Sequence, residues 1–231
     1  MRLSPRLKAI AGMVPDGSAV ADIGTDHGYI PVFLIESGKA KWAVASDINS
    51  GPLEKAREVI RQHRLEGRID TRLGDGLDVL KRGEADTIVL AGMGGMLIRD
   101  VLQAGEMVLE GITRLVLQPM NAQDVVRKWL TDNGYAIVDE TLAREKDRIY
   151  QIIAAEPGCQ HIDDPIYLEI GRILIEKKHP LLPHLVDRKI TEYSKIITGL
   201  QGSREDSAAD KLKEYTDRLK RLHGVMEDCR D

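Results

Sequence analysis

The string Val20-Ala21-Asp22-Ile23-Gly24-Thr25-Asp26-His27-Gly28 sets two carboxylates about a glycine-bearing turn. Glycine there lets the backbone approach a ligand closely. A nicotinamide fingerprint asks for G-x-G-x-x-G, with a pyrophosphate resting on a helix N-terminus. Here the pattern is D-x-G-x-D-x-G, and two acids repel a pyrophosphate. They suit a ligand that carries positive charge, such as the ammonium and sulfonium of S-adenosylmethionine. The plain alternative is a strand–turn–helix that binds nothing.

Asp47 ends the next apolar run, in Val44-Ala45-Ser46-Asp47-Ile48-Asn49, 23 residues after Gly24. An acid at that place accepts hydrogen bonds from ribose hydroxyls. As a mere helix cap it is less suited than Asn49 or Ser50. Gly74-Asp75-Gly76-Leu77 lies where a third strand would end. Asp75 can accept from an exocyclic adenine amine, while Gly76 and Leu77 offer backbone and apolar surface. Asp-Gly is also a common turn. Ala91-Gly92-Met93-Gly94-Gly95 and Leu117-Gln118-Pro119-Met120-Asn121 put bare backbone and amides at the strand ends where open α/β sheets bind ligands. Glycine and proline punctuate ordinary loops as well.

These motifs need a scaffold that brings strand ends to one edge. Apolar runs at 18–23, 42–48, 86–91, 114–118, 135–139 and 149–155 alternate with helical patterns, which predicts a mostly parallel sheet covered on both faces. The polar stretch 140–148 is too short for a crossover helix, so the last two runs are expected to pair antiparallel. Helices are expected over 53–63, from about Met96, and over 166–178. After Pro157-Gly158 the β pattern stops. Val186, Ile190, Tyr193, Ile197 and Leu200, then Leu212, Tyr215, Leu219, Leu222 and Met226, make two heptad stripes joined by a polar turn at 199–207. That is the pattern of an antiparallel helical hairpin. The expected domains are 1–158 and 159–231.

Composition removes several function classes. The 231 residues are 42% hydrophobic and 30% charged, with mean hydropathy −0.25. No run reaches the roughly 20 apolar residues of a membrane helix, and the start of the chain lacks the apolar core of a signal peptide. A cytoplasmic location is expected. Cys159 and Cys229 show no metal-ligand spacing, and no metal is expected. Lys and Arg total 33 against 37 Asp and Glu, for a net charge of −4. A chain coated in positive charge for nucleic acid is therefore excluded. Phosphate binding would have to come from local clusters. The candidates are Arg2, Arg6 and Lys8; the basic residues of 55–72; and Lys177-Lys178-His179 with the cations of 211–221.

In order and spacing, the acid-flanked turn, Asp47, Asp75 and the final antiparallel pair resemble the seven-stranded S-adenosylmethionine-dependent methyltransferase fold. The strings Asp22–Pro31, Ser46–Leu53, Gly74–Leu77, Ala91–Gly95 and Leu117–Pro119, with the helical hairpin and the opening Leu3-Ser4-Pro5-Arg6-Leu7, resemble the TrmK family. These are bacterial tRNA methyltransferases acting on N1 of adenine-22. The resemblance implies a Rossmann-like seven-stranded class I methyltransferase sheet, an all-α C-terminal coiled-coil hairpin, S-adenosyl-L-methionine as cofactor and tRNA as partner. A monomer or weak homodimer is expected.

Under that resemblance the cofactor would be held by Arg6, Asp22, Gly24, Thr25, Asp26, Gly28, Asp47, Ile48, Asn49, Asp75, Gly76, Leu77, Ala91, Gly92 and Met93. Gly94, Gly95, Gln118, Pro119 and Asn121 would wall the substrate pocket. Methyl transfer is an in-line displacement with the nucleophile about 3–3.5 Å from the methyl carbon. Adenine N1 is unprotonated near neutral pH, so no strong base must act first, but the product ring is cationic. A carboxylate stabilises such charge as it develops. Asp26 is the first catalytic candidate, followed by His27 and Tyr29. Two other classes stay open on the residues alone: a small-molecule methyltransferase whose hairpin dimerises it, and a non-enzymatic adenosine-ligand binder.

Overall fold

The computed structural model describes residues 1–201 and 208–229. Two compact units divide it, Met1–His161 and Ile162–Asp231. The division falls three residues beyond the expected one, because Gln160 Oε1 accepts the Ile137 N–H at 2.8 Å and ties the exit segment to the sheet.

The first unit is a seven-stranded sheet of order β3-β2-β1-β4-β5-β7-β6. The strands are β1 (Ser18–Ile23), β2 (Ala40–Asp47), β3 (Ile69–Leu73), β4 (Thr87–Met93), β5 (Arg114–Pro119), β6 (Tyr135–Glu145) and β7 (Arg148–Pro157). The first five run parallel; β7 pairs antiparallel with both β5 and β6. Val20, Ala43, Val44, Ile88, Val89, Leu115 and Val116 are fully buried or nearly so, as continuous apolar runs in a sheet covered on both faces require. The covering helices are α1 (Pro5–Met13), α2 (Tyr29–Glu36), α3 (Ser50–Gln62), α4 (Gly95–Ala104), α5 (Glu106–Leu109) and α6 (Gln123–Asp132).

Three sequence expectations move. Helix α3 starts three residues earlier than its apolar pattern suggested, with Asn49 as its cap. Gly76–Val79 forms a short 3-10 turn after β3. The polar stretch 140–148 is not a connector: strand continues to Glu145, turns at Lys146-Asp147 and resumes at Arg148. Alternation hid this strand because its inward residue Glu140 is polar. Glu140 is 2% exposed, and Arg127, fully buried on α6, donates to it at 2.8 Å and to Gln151 of β7 at 2.7 Å.

The second unit holds α7 (Ile166–Glu169), α8 (Arg172–Glu176), α9 (Leu182–Gln201) and α10 (Ala208–Asp228). The helix expected over 166–178 is broken at Gly171, whose φ of +91° no helix accommodates. Helices α9 and α10 pack on each other, with the Tyr193 ring edge-on to Tyr215 at 5.2 Å. Both heptad stripes face inward, and Lys189 and Arg218 close over buried Glu169. Of the turn expected at 199–207, Gly199–Gln201 are helical, and 202–207 lie outside the described residues.

Candidate active site

The carboxyl ends of β1 and β4 open into a cavity of about 330 Å³ lined by Arg6, Leu7, Asp22, Gly24–Ile30, Ala91 and Gly92. The turn after β1 is pinned to β2, since the N–H groups of Gly24 and Thr25 both donate to Ser46 O at 2.8 Å. Thr25 Oγ1 accepts the Gly28 N–H at 3.1 Å and closes the loop on itself. Gly24 has φ +75°, and a Cβ there would fall 2.0 Å from Met93 Cε. The turn thus demands glycine twice, by backbone conformation and by the side chain above it.

Asp22 is 5% exposed. Burial pushes its carboxyl up from 3.8 to about 6; a hydrogen bond with Thr25 opposes the shift and the Asp47 charge adds to it. A buried acid held this way gains most from a cation brought beside it. Asp47, at the end of β2, takes the Asn49 N–H on Oδ1 at 2.7 Å, which fixes the carboxylate's direction. Ile48 beside it is 61% exposed. Ser46 Oγ is buried with no hydrogen-bond partner.

Asp26 is at the mouth, with its Oδ2 3.2 Å from His27 Nε2. The His27 and Tyr29 rings stack at 5.0 Å and 13°. The three proposed catalytic side chains are therefore contiguous, with Tyr29 38% exposed.

The segments that follow β4 and β5 are tied to each other beyond the cavity lining. Met120 N–H donates to Met93 O at 2.8 Å, and the Gly95 N–H donates to Asn121 O and Oδ1 at 3.1 and 3.2 Å. A Cβ on Gly95 would lie 2.3 Å from Ala122 O, a backbone atom. The loops after β4 and β5 are held as one piece, which brings Gly94, Gly95, Pro119 and Asn121 together. Gln118 stands apart from them: it is fully buried, and its Oε1 accepts from Arg6 Nη1 at 2.8 Å. Its side chain holds Arg6 rather than facing the cavity.

Arg6 itself has three further supports. Its backbone N–H donates to Glu145 Oε1 at 2.9 Å, its Nε is 4.0 Å from Glu145 Oε2, and its guanidinium lies 5.3 Å from the Tyr150 ring centre. Glu145 and Tyr150 carried no signal in the sequence, because both lie in or beside the stretch read as a connector. Asp75, Gly76 and Leu77 follow β3, away from the cavity lining. Asp75 is exposed and caps the 3-10 turn, while Leu77 is buried against Gly105. Only backbone at Leu77 is left to meet a ligand.

Three of the arginines of 55–72 are engaged within the chain. Arg57 bonds Glu54 and Thr71, Arg68 bonds Lys41 O, and Arg72 bonds Glu84 and Asp70. Among the described residues no group of His, Cys, Asp and Glu is placed to hold a metal, and no helix is long and apolar enough to cross a membrane.

A glycine cradle, two acids at adjacent strand ends and a cavity between β1 and β4 fit an adenosine ligand that carries positive charge. Fold and site together define an S-adenosylmethionine-dependent methyltransferase of Rossmann-like architecture, and a family model described as a methyltransferase domain matches residues 3–153. The tRNA (adenine(22)-N(1))-methyltransferase of Bacillus subtilis is 35% identical over 233 residues, 98% of each chain. The crystal structure of the B. subtilis m1A22 tRNA methyltransferase TrmK matches with TM-score 0.88 and 34% identity over 97% of this chain and 99% of that one. The Streptococcus pneumoniae protein Sp1610, solved with S-adenosyl-L-methionine, matches with TM-score 0.86 and 30% identity over 97% and 100%. The chain belongs to the TrmK family of tRNA (adenine-22 N1)-methyltransferases.

Proposed function

We propose that the protein methylates N1 of adenine-22 in tRNA in the cytoplasm, acting as a monomer or weak homodimer. The observation that carries this reading is the pair Asp22 and Asp47 at adjacent strand ends, with the Gly24 turn between them, in a chain of this family. S-adenosyl-L-methionine, when bound, supplies an electrophilic methyl group on sulfur. Gly24, Thr25, Gly28, Ala91, Gly92 and Met93 give it backbone and close contact. Asp47 takes the ribose hydroxyls, with Ile48 and Asn49 beside it. Asp75, Gly76 and the Leu77 backbone serve the adenine end, and Arg6 the carboxylate.

The target N1 lies on the Watson–Crick edge, so the base must leave its stack at a cost of a few kcal/mol. Gly94, Gly95, Pro119 and Asn121 form the wall that receives it, and the exposed Tyr29 ring offers a face to stack on. Asp26 at the mouth balances the positive charge that methylation leaves on the ring. His27 holds Asp26 through its Nε2 contact and backs Tyr29 through the ring stack.

The test is incubation with labelled S-adenosyl-L-methionine and total tRNA, followed by nucleoside analysis. Label in 1-methyladenosine at position 22 is expected. Unlabelled tRNA, with label instead in a small-molecule extract, overturns the reading.

A further inference from the structure

Strand register places the β6–β7 hairpin beyond the sheet. Leu117 of β5 is level with Ile153 of β7, and β5 has two more residues, Gln118 and Pro119. Strand β7 has five on that side, Arg148–Ile152. The tip therefore projects about 10 Å past the carboxyl edge, at roughly 3.3 Å per residue. That is the edge on which the cavity opens.

The tip is Arg144-Glu145-Lys146-Asp147-Arg148. Arg144, Lys146 and Arg148 are exposed. Glu145 is turned inward onto Arg6, a cavity-lining residue, so three cations stand against Asp147 alone. In a chain of net charge −4 this local excess contrasts with Arg57 and Arg72 of the 55–72 stretch, which are ion-paired with acids. The base of the hairpin is stiffened by the fully buried Arg127 between Glu140 and Gln151. The arm therefore carries three exposed cations beside the mouth, with Arg144 steadied by its Nε donating to Lys146 O at 3.3 Å.

We propose that this hairpin tip is a docking surface for the sugar–phosphate backbone of the RNA substrate next to the extracted nucleotide. The inference rests on the tRNA reading above. Extraction of a base needs its flanking phosphates held while the stack opens, and cations beside the mouth meet that need. The contact is electrostatic and sequence-independent, so it sets affinity and position rather than base identity.

The experiment compares wild type, an Arg144→Ala/Lys146→Ala/Arg148→Ala triple variant, and a Lys81→Ala/Arg82→Ala control altered at the opposite edge of the sheet. Methylation of tRNA is measured across a salt series, with S-adenosyl-L-methionine binding measured separately. For the triple variant, KM for tRNA is expected to rise about 10-fold or more near 0.15 M salt. The slope of log affinity against log salt should flatten by about two to three, as for two or three lost phosphate contacts. Cofactor affinity should be unchanged, and the control should match wild type. Equal KM and equal slope for triple variant and wild type overturn the docking surface alone, as does equal flattening in the control. Failure of wild type to label any tRNA overturns the tRNA reading and the docking surface with it.

Discussion

A methyl group placed on Gly24 would lie 2.0 Å from Cε of Met93, the last residue of β4. Gly24 lines the cavity at the end of β1, and Met93 meets it from the neighbouring strand β4. Because Gly24 also has φ +75°, Gly24→Ala incurs two penalties. Left-handed backbone costs roughly 1–2 kcal/mol for a residue with a Cβ, and Met93 must swing away. The variant should stay folded with Tm lowered by several degrees, and its affinity for S-adenosyl-L-methionine should fall at least about 10-fold. Adding Met93→Ala should restore only part of the loss, because the backbone strain persists. Calorimetric titration checks both. Wild-type affinity in Gly24→Ala would show that the turn does not meet the cofactor.

Asp22 gives a pH-dependent prediction. Its folded carboxyl titrates near 6 against an ordinary 3.8, chiefly through burial. Between those values the folded state binds the extra proton, so this group's contribution to stability falls as pH rises from about 4 to about 6. Above that window the penalty is complete, at about 3 kcal/mol for a shift of this size. Asp22→Asn should therefore be more stable than wild type at pH 7.5 and about equal to it near pH 4, by urea unfolding without cofactor. The same variant should bind S-adenosyl-L-methionine weakly at every pH, whereas wild-type binding should weaken only as pH drops below about 6. A variant no more stable than wild type at pH 7.5 would contradict this account of the buried charge.

Arg127 tests the stiffness of the projecting hairpin. It is fully buried and ion-paired with Glu140, which is buried as well. Removing one member leaves an uncompensated charge, a loss of about 3–5 kcal/mol. Arg127→Met should destabilise by that much, and Arg127→Met/Glu140→Leu should recover most of it. Thermal unfolding of the two variants distinguishes them. Equal loss in both would place the cost in packing rather than in the stranded carboxylate.

Four of the five parallel strands were legible because Ser18–Ile23, Ala40–Asp47, Thr87–Met93 and Arg114–Pro119 are mostly apolar. Ile69–Leu73, with Asp70, Thr71 and Arg72, makes no apolar run, and only its end was placed, by Gly74-Asp75. The cluster Asp22, Gly24, Asp26, His27 and Tyr29 was legible because its members are contiguous in sequence. Glu145, Tyr150 and the Arg127–Glu140–Gln151 group were not. Their meaning depends on residues up to 139 positions away, and a buried polar pair reads in sequence as solvated surface. Gln118 was placed at the end of the fifth strand, but its buried side chain holds Arg6, since a strand residue's face follows from register and the end of the strand alone does not give it.

The N-terminal helix has a temporal consequence. Arg6 is synthesised before Gln118, Glu145 and Tyr150, which hold it and come from the last third of the sheet domain. Met13 O likewise receives Arg114 at 3.3 Å. On the ribosome the glycine turn emerges early, yet the groups that hold the Arg6 side chain arrive only with β5, β6 and β7. A domain that folds as a unit therefore gains its cofactor pocket only when the final hairpin arrives, and nascent fragments ending before that hairpin would lack the pocket.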